Sequence, residues 1–512
     1  MAELKFGEIR NQYKKLIAVS QVMTDFTAES RDGKKIDRIL SIVADPKITA
    51  ADALNGEAVI SGRVNYKILY INEDGEPQSL DYFSDYKDRI ADAAIQPPCV
   101  LSADSAVADI AVSGGDGSSV SASVVLENSV YMIIQEVIPV LKDTPENYFA
   151  EYSRIPSQSY ADIPRITVDV ADESSAGVVV DKILALDASA AVLDTVAGNG
   201  AVAVKGAVYA NVLYNTADGR YMSKQFEIPF GEESRMPLGL NLSAFADASV
   251  KNSKVVLSGT ADDNIIRVEA SVEIDTTVIT DGGEEAVTDV FSVARELDVK
   301  TERFSAPRFF YSAVYAESVS ESVSLEDNLP PVNELVGYLG ARNHIASLSA
   351  ANGRANIEGV VNLTVLYKDG EENSDINSVD VEIPYSLSVK DPEISDRYTL
   401  EGKGKVGAVT VKRKRDREID VVAELFFGIR AYGEETVCVI ADVSEGAEKA
   451  AAASAVSVYN AEEGETLWDI AKALSCTPET ILEQNADLVL PVATPGRVIL
   501  YRELTVEGNE NS

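Results

Sequence analysis

The sequence predicts a mainly β, multidomain protein: three tandem antiparallel β domains followed by a small C-terminal βααβ domain. Three observations predict it. One strand-and-turn pattern occurs three times, the runs around it alternate with period two, and only the last sixty or so residues carry helical periodicity.

The first copy reads LNGEAVISGRVNYKILYINEDG, Leu54 to Gly75. The second is GNGAVAVKGAVYANVLYNTADG, Gly198 to Gly219, and the third ANGRANIEGVVNLTVLYKDG, Ala351 to Gly370. Each holds Asn-Gly, a second glycine six residues after the first, then Leu-Tyr and Asp-Gly. Asn55-Gly56, Asn199-Gly200 and Asn352-Gly353 tolerate the positive φ that a tight type I′ hairpin requires.

Beyond Gly62, Gly206 and Gly359 the chain alternates. Val64, Tyr66, Ile68 and Tyr70 form one apolar face in the first copy; Val208, Ala210, Val212 and Tyr214 do so in the second, and Val361, Leu363, Val365 and Tyr367 in the third. Arg63, Asn65 and Lys67 on the other face predict a half-buried antiparallel strand. The three mid-strand glycines read as a bulge or a close approach rather than as a ligand site. Asp74-Gly75, Asp218-Gly219 and Asp369-Gly370 close the next turn.

A second β-rich half follows each copy, starting at Val120, Ile265 and Ile419. The interval of about 150 residues suits one domain and is too long for a solenoid unit. The expected domains are residues 1–144, 145–300 and 301–444, an Ala-rich linker at 445–457, the helical module at 458–502 and an acidic tail at 503–512. The repeats resemble the SPOCS domain, a family found in sporulation proteins of Clostridia and Bacilli. That resemblance implies a part in spore coat or cortex morphogenesis.

In the last domain Leu467, Ile470, Ala471 and Leu474 share a helical face, with Thr466 and Asp469 placed to cap it. A second helix is predicted from Thr477, with Pro478 at its first position. Val456 to Tyr459 and Val498 to Tyr501 supply β-prone ends. GETLWDIA, Asn485 and PGRVILY resemble LysM, whose groove holds N-acetylglucosamine units of peptidoglycan or chitin. The resemblance implies a partner- or glycan-binding groove formed by Gly464, Glu465, Thr466, Leu467 and Trp468 on one side and Asn485, Ala486, Asp487 and Leu488 on the other. Glu462, Glu463 and Glu465 make this loop acidic, which does not favour anionic peptidoglycan. Trp468, the only tryptophan, reads either as a packing residue or as a contact.

Composition narrows the function. A formal net charge of −38 disfavours nucleic acid and anionic membrane surfaces. The three cysteines, Cys99, Cys438 and Cys476, form no CxxC pair, so neither a disulfide framework nor a zinc knuckle is written here. No apolar run suits a signal peptide or a transmembrane helix.

The lone histidine, His344, stands in no catalytic pattern, and there is no phosphate loop, HExxH or GxSxG. No enzyme activity, cofactor or metal site is expected. GGDG at Gly114 to Gly117 lacks the spaced carboxylates of a calcium loop and reads as a hairpin tip, as does KRKRDR at Lys412 to Arg417.

Several SPOCS repeats with one terminal LysM resemble the clostridial type that works at the forespore surface, on the mother-cell cytoplasmic side. There such proteins link to the stage IV sporulation protein A (SpoIVA). The resemblance implies a non-enzymatic spore-envelope scaffold with SpoIVA as a partner; the alternative is a peptidoglycan-binding protein of the wall or cortex.

Overall fold

Asn-Gly and Asp-Gly turns cut each repeat into a three-strand meander, and the second half of each repeat folds back as a long hairpin. In the computed structural model, which describes residues 4–31, 33–114, 117–198, 200–237, 241–259, 263–370, 376–450 and 454–502, the first unit comprises β1 (Lys5–Glu29), β2 (Ile36–Leu54), β3 (Glu57–Asn72), β4 (Pro77–Ala91), β5 (Val100–Gly114) and β6 (Ser119–Asp143). Its two sheets have the orders β1-β6-β5 and β2-β3-β4.

The connectivity recurs twice. The second unit has β7 (Tyr148–Ser175), β8 (Val180–Gly198), β9 (Ala201–Thr216), β10 (Tyr221–Arg235), β11 (Asn241–Gly259) and β12 (Asn264–Ser292). The third has β13 (Arg295–Ser324), β14 (Glu334–Ala350), β15 (Arg354–Lys368), β16 (Asn377–Lys390), β17 (Thr399–Arg415) and β18 (Glu418–Glu448). Their sheets are β7-β12-β11 with β8-β9-β10, and β13-β18-β17 with β14-β15-β16.

Three boundaries move. The expected division at 300/301 falls inside β13, because pairing with β18 begins at Arg295. The expected linker at 445–457 begins too early, since Glu445 and Glu448 still pair with Leu297 and Arg295. It also ends too late, because the next strand starts at Val456. The tail at 503–512 lies outside the described residues, as do Asn199 of the second turn and Gly115 and Asp116 of GGDG.

Each unit's core lies between its two sheets. The alternating faces of β3, β9 and β15 are all buried there, with Tyr70, Tyr214 and Tyr367 at most 1 % exposed. The mid-strand glycines are close approaches: Gly62 pairs with Tyr86, Gly206 with Phe230 and Gly359 with Tyr385, and a Cβ on each glycine would fall 2.4 Å or less from the aromatic ring or a nearby atom. An aromatic of the neighbouring strand lies across each glycine and fills the space that a side chain would take. The type I′ geometry is realised at Asn352-Gly353, with φ of 55° and 66°; in the first copy only Gly56 is positive, at 78°.

The faces read as half exposed are only partly so. Beyond Lys67, β3 buries Leu69 and Ile71 as well, and Ala207, Tyr209 and Leu213 of β9 are buried opposite the unit core. What covers them is the other units. Leu69, Leu213 and Leu366, the leucines of the three Leu-Tyr pairs, sit in one cluster with Leu40, Val43, Leu184, Val336 and Leu339.

Each tyrosine therefore points into its own unit and each leucine into a core shared by three. At the far end of the long hairpins, Val140, Ala286 and Val439 share a second cluster, and their neighbours Leu141, Val287 and Ile440 a third. Gln158 fastens the join: its side chain donates to Phe309 O (2.7 Å) and accepts from Phe309 N–H (3.0 Å), while its N–H donates to Asn11 Oδ1 (2.9 Å). The units close on one another rather than extending as an open row.

The C-terminal module is β19 (Val456–Ala461), α1 (Leu467–Leu474), α2 (Pro478–Gln484) and β20 (Gly496–Tyr501), with β19 and β20 antiparallel. Among the described residues no helix is long and apolar enough to cross a membrane; strands that cross as a barrel are a separate matter.

Candidate functional site

Local chemistry places the two loops of the C-terminal module. Thr466 caps α1 by accepting from the Asp469 N–H, and the Asp469 carboxylate takes the Thr466 N–H in return (2.8 Å), which holds that carboxyl below its usual range. Thr477 caps α2, with Pro478 at the first helical position. Gly464, at φ +91°, turns the first loop, and a backbone pair then joins the loops: Gly464 N–H donates to Val492 O (2.8 Å) and Val492 N–H to Glu465 O (2.9 Å).

The nine groove residues are not equivalent. Gly464, Thr466, Ala486 and Asp487 are exposed, and Leu467 and Leu488 pack against the module's core. Glu465 does not project freely: its carboxylate accepts from Tyr459 Oη (2.6 Å) and from Glu462 N–H (2.9 Å). That hydrogen bond, helped by partial burial and the charge of Glu465, pushes the Tyr459 hydroxyl up to about 12.

Asn485 is a rivet. Its amide donates to Ile481 O, closing the end of α2, and donates to Ile499 O and accepts from Ile499 N–H, two bonds that tie the helix end to β20. The glutamates Glu462 and Glu463 remain exposed beside Gly464.

Trp468 turns away from the groove and onto the β body. Its ring meets Phe291 edge-on at 4.9 Å, Phe291 stacks on Phe149 at 5.3 Å, and Nε1 donates to Asp289 Oδ2 (2.8 Å). Lys472, one turn along α1, pairs with the same carboxylate at 2.6 Å. Lys449 reaches Ser475 Oγ at 2.7 Å. Trp468 is thus a packing residue, set between the module's core and the chain's own β body. The sequence held no signal for Asp289 or Phe291, which lie near the end of β12 with nothing local to distinguish them.

Other motifs take structural roles. In the basic run, Arg413 pairs with Asp416, Lys414 with Glu418 (3.0 Å) and Arg415 with Glu418 (3.6 Å), while Arg417 donates to the carbonyls of Glu326 and Leu329. His344 is exposed on β14. The three cysteines are free thiols, and burial pushes Cys476 up.

Family comparisons match two parts of the chain. Residues 35–113, from the start of β2 through nearly all of β5, match the SipL SPOCS domain, and residues 459–500 match the LysM domain. No curated protein and no solved structure matches the chain.

Proposed function

The chain carries a SPOCS domain in its first β unit and a LysM domain at its C-terminal end, and from that premise we propose that it is a non-enzymatic scaffold of the spore envelope. The two domain types support a sporulation-related role in binding at the cell wall. In the proposed reading the three β units form one rigid body, and the LysM domain docks a spore morphogenetic protein such as SpoIVA at the forespore surface, on the mother-cell side.

One observation carries the choice of a protein over a glycan. The exposed edge of the first loop is acidic at Glu462 and Glu463, and the second exposes Asp487 and Val489. Fixed negative charge beside an apolar side chain suits a protein surface with basic groups better than anionic peptidoglycan. The second reading, peptidoglycan binding through N-acetylglucosamine units, is favoured by the LysM match itself.

Retention of the full chain on purified peptidoglycan and on immobilised SpoIVA separates the two. The proposed function expects capture by SpoIVA, weakened by Asp487→Lys with the fold unchanged. Glycan retention without SpoIVA capture selects the alternative.

A further inference from the structure

The place where the long sheets of the three units meet is polar, and the LysM groove makes no use of it. Glu401, Lys403 and Lys405 alternate along β17 and so share one face, with Arg430 of β18 directly across from Glu401. Lys403 Nζ donates to Asp104 of β5 (2.6 Å) and to Asp247 of β11 (2.7 Å), so one ammonium gathers the third strand of every long sheet to a single point.

These three side chains keep 32 %, 39 % and 36 % of their surface accessible. The ion-paired centre is thus reachable by solvent rather than part of a packed core.

Three more cations belong to this junction. Lys14 lies 4.2 Å over the Tyr131 ring and interacts with Asp104, Glu401 and Arg430; Lys405 interacts with Asp247, Lys403 and Asp104. Arg430 is 6 % exposed and stacks on Phe245 at 4.7 Å. Among the described residues none of the three has a hydrogen-bond acceptor, and the Arg430 Nε is buried. Glu401 Oε2 and the Tyr432 hydroxyl are buried beside them, also without a partner among those residues.

Native proteins seldom leave so many buried polar atoms unmatched in one place. Four cations, Lys14, Lys403, Lys405 and Arg430, meet four carboxylates, Asp45, Asp104, Asp247 and Glu401, yet among the described residues only Lys403 of the four cations is hydrogen-bonded to them.

We propose that this junction is a binding site for a small protonated oxyanion of the phosphate class. The Arg430 fork and the Lys14 and Lys405 ammoniums donate to its oxygens, as guanidinium and ammonium groups do to phosphate. Its remaining P–O–H donates to Glu401 Oε2, an acceptor that would repel a fully deprotonated anion. An anion held by residues of the first and third units, beside Asp247 of the second, binds only the closed arrangement and so stabilises it.

The test titrates inorganic phosphate into the full chain near neutral pH, with sulfate and chloride at matched ionic strength, and reads the melting temperature. A saturable rise is expected for phosphate, with an apparent affinity about five-fold or more above that for sulfate, which has no proton to give Glu401. Lys405→Met weakens the phosphate affinity about ten-fold, and Lys412→Met at the outer tip leaves it unchanged. If Lys405→Met does not fold, Lys14→Met replaces it, with the same loss expected. The proposal is overturned by a rise that climbs linearly without saturation, the mark of an excluded solute, by sulfate equal to phosphate, or by wild-type phosphate affinity in the lysine variant.

Discussion

The β body and the LysM domain are joined to their surroundings in different ways. The three units share buried clusters to which each contributes, centred on Leu69, Leu213 and Leu366 at one place and on Val140, Ala286 and Val439 at another. The LysM domain rests on a small patch: one aromatic edge, one carboxylate serving both Trp468 and Lys472, and the Lys449–Ser475 bond. Burial of apolar area scales with contact. The units are thus bound as parts of one body, while the LysM domain is attached through a few contacts at one edge.

The largest expected effect breaks the body itself. Leu213→Ala removes a fully buried side chain from the cluster shared by all three units and should cost about 2–5 kcal/mol. Because the cluster is shared, calorimetry should show the single transition broadening or splitting into several. A sharp, unsplit transition at the wild-type temperature would mean that the units do not depend on one another.

Next comes Gly206→Ala, whose new Cβ would sit 2.2 Å from the Phe230 ring and 2.4 Å from the Ala191 carbonyl; chemical denaturation should show a loss of about 1–3 kcal/mol. Gly428→Ala, which meets nothing within 4 Å, serves as its control and should not destabilise.

The latch predicts something milder and confined to one place. Asp289→Ala removes the acceptor of Trp468 and the partner of Lys472, worth about 1 kcal/mol of docking at a partly exposed site. Trp468 is the only tryptophan, so its emission should shift to the red and its quenching by iodide should rise while the main melting transition stays in place. A main transition that drops with the emission change would show that the LysM domain is integral to the body.

The smallest effect lies inside the LysM domain. The Tyr459 hydroxyl, raised to about 12 by its bond to Glu465, stands above its unfolded value of about 10. Its contribution is therefore complete below about 10 and disappears as pH rises through about 12. Tyr459→Phe should flatten that alkaline step, read as the difference between wild-type and variant ultraviolet titrations. An unchanged step would assign it to other tyrosines.

Sequence and structure divided the work along a physical line. Period-two alternation, turn dipeptides and the spacing of the glycines are local, so the strands of the meanders, their buried faces, the capped helices of the LysM domain and its two loops were legible from residues such as Tyr70, Gly359, Thr466 and Pro478. The same locality set the errors. Arg295–Lys300 and Glu445–Glu448 read as a boundary and a linker because their strand state comes from pairing with each other across the unit, while the partners of Asn485 and Trp468, Ile499 and Asp289, were out of reach because only the fold brings them together.

The sequence by itself determined that the chain is β-rich with a LysM domain at its C-terminal end, and which face of each central strand is apolar. Only the tertiary structure decided that the leucine beside each buried tyrosine serves a core common to three units, that Lys403 finds its carboxylates in the other two, and that the lone tryptophan is spent on the chain's own β body. Each is a contact between residues more than a hundred positions apart, and no periodicity within one unit encodes the surface presented by another.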